Sequence, residues 1–213
     1  MIVNGHEYEQ NKWGGISQVN PHIGVDYDFQ YIADRYGNLG PKIRQMSYLR
    51  YAYMLGVLQS KPKTLLEIGY GTGDFLKVCA ENGIECFGHD ITGIPVPNGV
   101  EYADPTKQVN TVCMFDVLEH MIDPEAFLRS LDCRTVYISI PWCMQFDEEY
   151  LSNEYIHLRP NEHLHHFDHF ALQQLFSECG YMLKSYWNIE DAIRKRDQRY
   201  PNILTAIFER RID

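Results

Sequence analysis

Residues 65–76, Leu-Leu-Glu-Ile-Gly-Tyr-Gly-Thr-Gly-Asp-Phe-Leu, set three glycines within five positions directly behind a short apolar run. A run of this kind bounded by glycine reads as a buried strand. "DFLKVCAEN" then reads as a helix, with Asp74 suited to its first turn and Gly83 just past its end. A strand that turns through glycines into a helix opens a βαβ unit, and the sequence downstream keeps that rhythm. "IECFGHD", "VEYAD", "VNTVCMF" and "TVYISI" read as further strands. Asp123-Pro124-Glu125 supplies a capping oxygen, a proline and an acid for a helix over "PEAFLRSL". Leu172, Leu175, Phe176 and Cys179 mark one face of a late helix, and "YMLKSYWNI" and "NILTAIFER" close the chain as two strands with no evident helix between them. Upstream, Met46, Leu49, Tyr53 and Val57 space an amphipathic helix after Pro41. The reading is α/β: a doubly wound, mostly parallel sheet with helices on both faces and an antiparallel addition at one edge. Residues 1–40 show no sustained period beyond a short helix around Phe29–Arg35. They read as an extension on a domain spanning 41–213, with Tyr27, Phe29 and Tyr31 suited to a lid.

Composition narrows the function. A net charge of −10 argues against a general nucleic-acid binder, which needs a basic face. The basic residues Arg194, Lys195, Arg196 and Arg199 read as a solvated loop, with a local phosphate patch as the minor alternative. No apolar run is long enough to span a bilayer, and the N-terminus has no basic-then-apolar leader pattern. The six cysteines form no C-x-x-C pair and read as free buried thiols of a cytoplasmic protein.

The glycine turn then decides between ligands. A dinucleotide site needs G-x-G-x-x-G, and here Asp74 holds the place of the third glycine. That carboxylate would repel a pyrophosphate, Glu67 adds a second acid, and the turn has no lysine for a phosphate cradle. Close approach without provision for anions suits a cationic ligand, and S-adenosylmethionine carries an ammonium and a sulfonium. Asp90 follows at the distance at which an acid reaches ribose hydroxyls. The plainer alternative is that the glycines only make a tight turn and Asp90 only caps a helix.

The stretch from Leu65 to Thr92 resembles the first motif and second strand of class I S-adenosylmethionine-dependent methyltransferases. "MFDVLEHMIDPEAFLRSL" and "NEHLHHFDHFALQQLFSECGYML" resemble later segments of the branch related to ubiquinone-biosynthesis O-methyltransferases. The resemblance covers about residues 45–210 and implies a Rossmann-like seven-stranded sheet. It also implies that Glu67, Gly69, Tyr70, Gly71 and Gly73 surround the methionine part of the cofactor, with Asp90 on the ribose. Ile91 is then expected on the adenine, Asp104 at its exocyclic amine, and Phe115 and Asp116 at the mouth. The short "ADPTKQVN" departs from the family and makes Asp104 the weakest of these assignments.

Methyl transfer to a hydroxyl needs an aligned acceptor and a base near neutral pKa. His120 in "DVLEH" and a group of five between His157 and His169 supply candidates, of which His120, His163 and His166 are taken as base or orienting groups. Asp116, Glu119 and His120 offer three metal ligands, but three at a turn are not a closed site and no resident metal is expected. The sequence therefore reads as an S-adenosylmethionine-dependent methyltransferase for a small acceptor, at oxygen, the acceptor being a sugar, a sugar nucleotide or a phenol. The rivals are a catalytically silent cofactor-binding subunit and, behind it, an NAD(P)-dependent oxidoreductase. Oligomeric state is open.

Overall fold

The computed structural model describes residues 1–22, 40–194 and 199–211. The helix expected at Phe29–Arg35, the aromatic residues at 27, 29 and 31, and Lys195 and Arg196 lie outside the described residues. Three short strands, β1 (Ile2–Val3), β2 (His6–Gln10) and β3 (Ile16–Gln18), precede the first helix, α1 (Pro41–Leu58). The glycine turn joins β4 (Thr64–Ile68) to α2 (Asp74–Glu81), followed by β5 (Glu85–His89), β6 (Val100–Tyr102) and β7 (Val109–Phe115). A 3-10 turn (Leu118–His120) and α3 (Pro124–Ser130) lead to β8 (Cys133–Pro141). The remainder is α4 (Glu148–Asn153), β9 (His165–His166), α5 (His169–Glu178), β10 (Tyr181–Trp187), α6 (Asp191–Arg194) and β11 (Ile203–Arg210).

Seven strands form one sheet in the order β10-β11-β8-β7-β4-β5-β6. All run parallel except β11, which pairs antiparallel with both β8 and β10, so the antiparallel addition lies at one edge as expected, with its reversed strand one place in. Alternation along the strands sends side chains to two cores. Leu66, Val112, Met114, Val136 and Ile138 pack towards α3 and α5. Leu65, Cys113, Phe115 and Tyr137 pack under α2, Phe75 and Leu76 among them, and meet Met54 of α1. All six cysteines are free and buried. Loss of one such apolar side chain to alanine costs about 2–5 kcal/mol, because the packed surroundings close the hole only in part.

Two connections are shorter than a βαβ unit usually has: among the described residues no helix joins β5 to β6 or β6 to β7. The six residues after β6 cross the sheet face directly, with Ala103 and Val109 buried in the Phe87 core and Lys107 Nζ 4.2 Å from the Phe87 ring. Asn110 ties β7 to the start of β4, its Oδ1 accepting from the Lys63 and Thr64 amides at 3.0 Å.

The first strands are too short to show a period in sequence. They form a second, four-stranded antiparallel sheet, β1-β2-β3-β9, whose last strand comes from the histidine-rich segment. Gln18 and Asn161 exchange two hydrogen bonds (2.8 and 2.7 Å), and the Gln18 amide donates to Leu164 O at 2.9 Å. A Cβ at Gly15 would meet His166 O at 2.5 Å, so this approach requires glycine. The N-terminal residues thereby brace the segment 157–166 against the main sheet.

Candidate active site

Strand register brings the functional ends together. Ile68 is level with His89 and with Met114, and Phe115 with Ser139, so Gly69, Asp90 and Asp116 emerge along one carboxyl edge. The order reverses between β4 and β7, and ligands of such sheets bind at that switch point. A cavity of about 550 Å³ opens there. The glycine turn (Glu67, Gly69, Tyr70, Gly71, Thr72) lines one side, α1 another (Lys42, Met46, Ser47, Arg50), and Phe115, Asp116, His157, Arg159, Arg194 and Asn202 the rest.

All three turn glycines have positive φ, 70° at Gly69, 51° at Gly71 and 69° at Gly73. At two of them the close neighbour is the chain itself: a Cβ on Gly69 would come within 2.5 Å of Val117 Cγ2, and one on Gly73 within 2.4 Å of Pro97 Cγ. Ligand approach therefore does not account for these two, contrary to the sequence-based expectation. Gly69 and Gly71 still border the cavity. The Gly71 amide donates to Asp90 Oδ2 at 2.8 Å, while Asp90 Oδ1 accepts from the Thr92 amide and hydroxyl. Asp90 thus shapes the turn from below.

Of the residues expected at the cofactor, Glu67, Gly69, Tyr70, Gly71, Phe115 and Asp116 line the cavity; Gly73, Asp90, Ile91 and Asp104 do not. Ile91 is 74% exposed, and Asp104 is exposed and spends its carboxylate on Thr106. Tyr70 is packed, its ring over Gly88 and its hydroxyl donating to the Ile94 carbonyl.

Glu67 is buried at 3% exposure, and its Oε2 has no hydrogen-bond partner. Burial pushes its carboxyl well above the ordinary range, against the pull of Arg50. Arg50 sits on the buried stripe of α1 between Met46 and Met54, at the i, i+4 and i+8 positions. Its Nε donates to Glu190 Oε1 at 2.7 Å and its guanidinium lies 3.9 Å from the Phe115 ring centroid. Glu190 also accepts from Ser139 Oγ (2.6 Å) and Arg194 Nη1 (2.9 Å), and Arg194 reaches Asp116 Oδ2 at 2.8 Å. Burial raises the Asp116 and Glu190 carboxyls, but the two arginines outweigh it and hold both below the ordinary range. Two cations and two anions thus form one closed network, and Asp116 adopts a left-handed φ of 55° to join it.

The expected catalytic histidines lie behind the cavity wall. His120, His163 and His166 do not line it; His163 and His166 are each 1% exposed. His166 packs between Tyr8 and Tyr155, and burial holds its imidazole down to about 3. The histidine that reaches the cavity is His157, with Nε2 2.6 Å from Asn202 Oδ1. Arg159, two residues on, lines it too, and Nη1 of Arg159 donates to Glu162 at 3.1 Å. Sequence reasoning missed Arg50, Glu190, Asn202 and the place of His157, and it read Arg194 as part of a solvated basic loop, whereas Arg194 pairs with Asp116 and Glu190 at the cavity wall. The i, i+4 spacing of Arg50 with Met46 and Met54 was the one available signal.

Comparison with known proteins agrees with this geometry. The methyltransferase domain family matches residues 43–186. No curated protein sequence matches the chain. Among solved structures, a putative methyltransferase from Haloferax volcanii, in complex with the Trm112 methyltransferase activator, is similar at 15% identity and TM-score 0.62. That match covers 90% of this chain and 100% of the other. A Burkholderia thailandensis 1,6-didemethyltoxoflavin-N1-methyltransferase with bound S-adenosylhomocysteine matches at 11% identity and TM-score 0.58, covering 97% and 100%. Magnesium protoporphyrin IX methyltransferase from Synechocystis PCC 6803 matches at 15% and 0.56, covering 80% and 84%. At these identities the likenesses establish the fold, without singling out a quinone branch. With the family match spanning more than half of its length, the chain belongs to the methyltransferase domain family of S-adenosylmethionine-dependent enzymes.

Proposed function

We propose that the cavity holds S-adenosylmethionine with its amino-acid end against Glu67 and takes a small hydroxyl-bearing acceptor on the side of Asp116, His157 and Arg194. The observation that carries this reading is the buried, unpartnered Glu67 Oε2 at the cavity wall, a carboxyl in need of a positive partner. Bound there, the cofactor supplies a methyl group on a sulfonium. The protein's residues do the rest. Asn202 donates its Nδ2 to Arg194 O at 3.3 Å, so its Oδ1 faces His157 and fixes the Nε2–H tautomer. His157, held in that orientation at the cavity, takes the acceptor's hydroxyl proton as the oxygen–methyl bond forms and the carbon–sulfur bond breaks. The Asp116–Arg194 pair, held from behind by Glu190, gives that side of the cavity fixed walls.

Release of S-adenosylhomocysteine, measured across a panel of hydroxyl, amine and thiol acceptors of otherwise similar shape, tests the choice of atom. Hydroxyl compounds should turn over, with a rate that falls as falling pH protonates the base. Turnover of amines alone, without that acid limb, would rule out oxygen as the acceptor atom.

A further inference from the structure

On the reading that His157 serves the acceptor, we propose that the acceptor carries an anionic group, a carboxylate or a phosphate, and that Arg159 is the residue that receives it.

Charge around the cavity does not balance. Among the described residues its wall carries the cations Lys42, Arg50, Arg159 and Arg194 against the carboxyls of Glu67, Asp74 and Asp116. Arg50 and Arg194 are closed into the network with Glu190 and Asp116 and have no charge to spare for a ligand. Asp74 lies 3.8 Å from Lys77, one turn along α2, and Glu67 faces the amino-acid end of the cofactor. Arg159 and the exposed Lys42 remain. In a chain of net charge −10 an anion meets general repulsion, so it needs a local cation to enter.

The chain holds the Arg159 guanidinium in place. Its carbonyl accepts from the amides of Glu162 and His163 at 3.1 and 2.8 Å, closing a turn that Gln18 of β3 braces through Asn161. Nη1 donates to Glu162 Oε1 at 3.1 Å across the same turn. That bond uses one of five N–H donors, and the others have no protein acceptor among the described residues. The side chain is 33% exposed, so much of this fork is already shielded from water. A planar guanidinium takes a carboxylate or a phosphate through two parallel hydrogen bonds. Arg159 stands two residues from His157, and two residues of chain span at most about 7 Å. One small molecule can therefore place a hydroxyl at His157 and an anion at Arg159. The basic residues that the sequence offered for phosphate do not serve here. Arg194 is closed in its network, while Arg199 lines a neighbouring cavity and lies 5.3 Å from the Tyr200 ring centroid.

Calorimetric titration of the full-length protein with benzoate, phenyl phosphate and benzamide, alone and saturated with S-adenosylhomocysteine, tests this without turnover. At least one of the two anions should bind about tenfold or more tightly than the neutral amide, the usual worth of a charge-assisted hydrogen bond. The tighter anion tells carboxylate from phosphate. Arg159→Met, which keeps an apolar stem and removes the fork, should erase the preference, and Arg159→Lys should restore part of it. Lys42→Met removes an exposed point charge and should weaken the anion less. Circular dichroism separates loss of site from loss of fold. Anion binding that depends on Arg159 supports the site even if no hydroxyl compound is methylated, a result that would fail the oxygen reading alone. No preference for either anion in the wild type, or an undiminished preference in folded Arg159→Met, overturns the proposal. So does an Arg159→Met protein that loses S-adenosylhomocysteine and keeps the anion, since Arg159 would then hold the cofactor's own carboxylate.

Discussion

Replacing His157 with alanine should lower turnover of a hydroxyl acceptor by about 10²–10⁴-fold, the usual worth of a positioned general base. Affinity for S-adenosylmethionine should change little. The split follows from the proposed roles, His157 serving the acceptor and Glu67 in the glycine turn the cofactor, both from the wall of one cavity. Its orientation is over-determined. Asn202 receives no freedom to flip, because its amide nitrogen donates to Arg194 O and its backbone amide donates to Asp191 Oδ2 at 3.0 Å. The ring is therefore held in one orientation. The pH–rate profile provides the control, since the alanine variant should lose the acid limb along with the rate. A His157→Ala enzyme with wild-type turnover and an unchanged profile would place the base elsewhere.

Glu190→Ala should destabilise the protein by about 3–5 kcal/mol, the cost of breaking a buried ion pair from one side. Glu190 is 0% exposed and accepts from Arg50, Arg194 and Ser139. Its removal leaves Arg50, buried against Phe115, without its hydrogen-bonded carboxylate, and Asp116 alone faces two cations. Keeping the shape without the charge should cost less, so Glu190→Gln is expected between alanine and wild type. Urea midpoints at constant slope measure both. Equal stability of all three proteins would mean that the network is relaxed by water and does not brace the cavity.

The sheet was legible because its strands and helices are long enough to show their period, and because Asp123, Asp168 and the glycines mark the boundaries. β1–β3 span two, five and three residues and α6 only four, too short for any pattern to emerge. In the site, Glu67 and the glycines declared themselves through local sequence. The arginine–carboxylate network did not. A charged residue on a helix counts towards the solvent face, and only the fold reveals that Arg50 turns inwards to meet Glu190 from 140 residues away. The histidines failed for a related reason: five within thirteen residues of irregular chain have no period to tell which faces ligand. Pairing of β9 with β3 and the bond from His163 to His157 O settle their directions, and both are contacts that no local pattern encodes.

The central claim is that the turn after β4 receives a cationic nucleoside through Glu67. Calorimetric titration with S-adenosylmethionine, in two buffers of different ionisation enthalpy, tests it most directly. Burial keeps Glu67 protonated above the ordinary carboxylate range. An arriving ammonium favours the ionised form, so over the range in which Glu67 titrates binding should release a proton and tighten as pH rises. Saturable binding with that proton release, and none with NAD, is the expected result. Binding of NAD in place of S-adenosylmethionine would contradict the account.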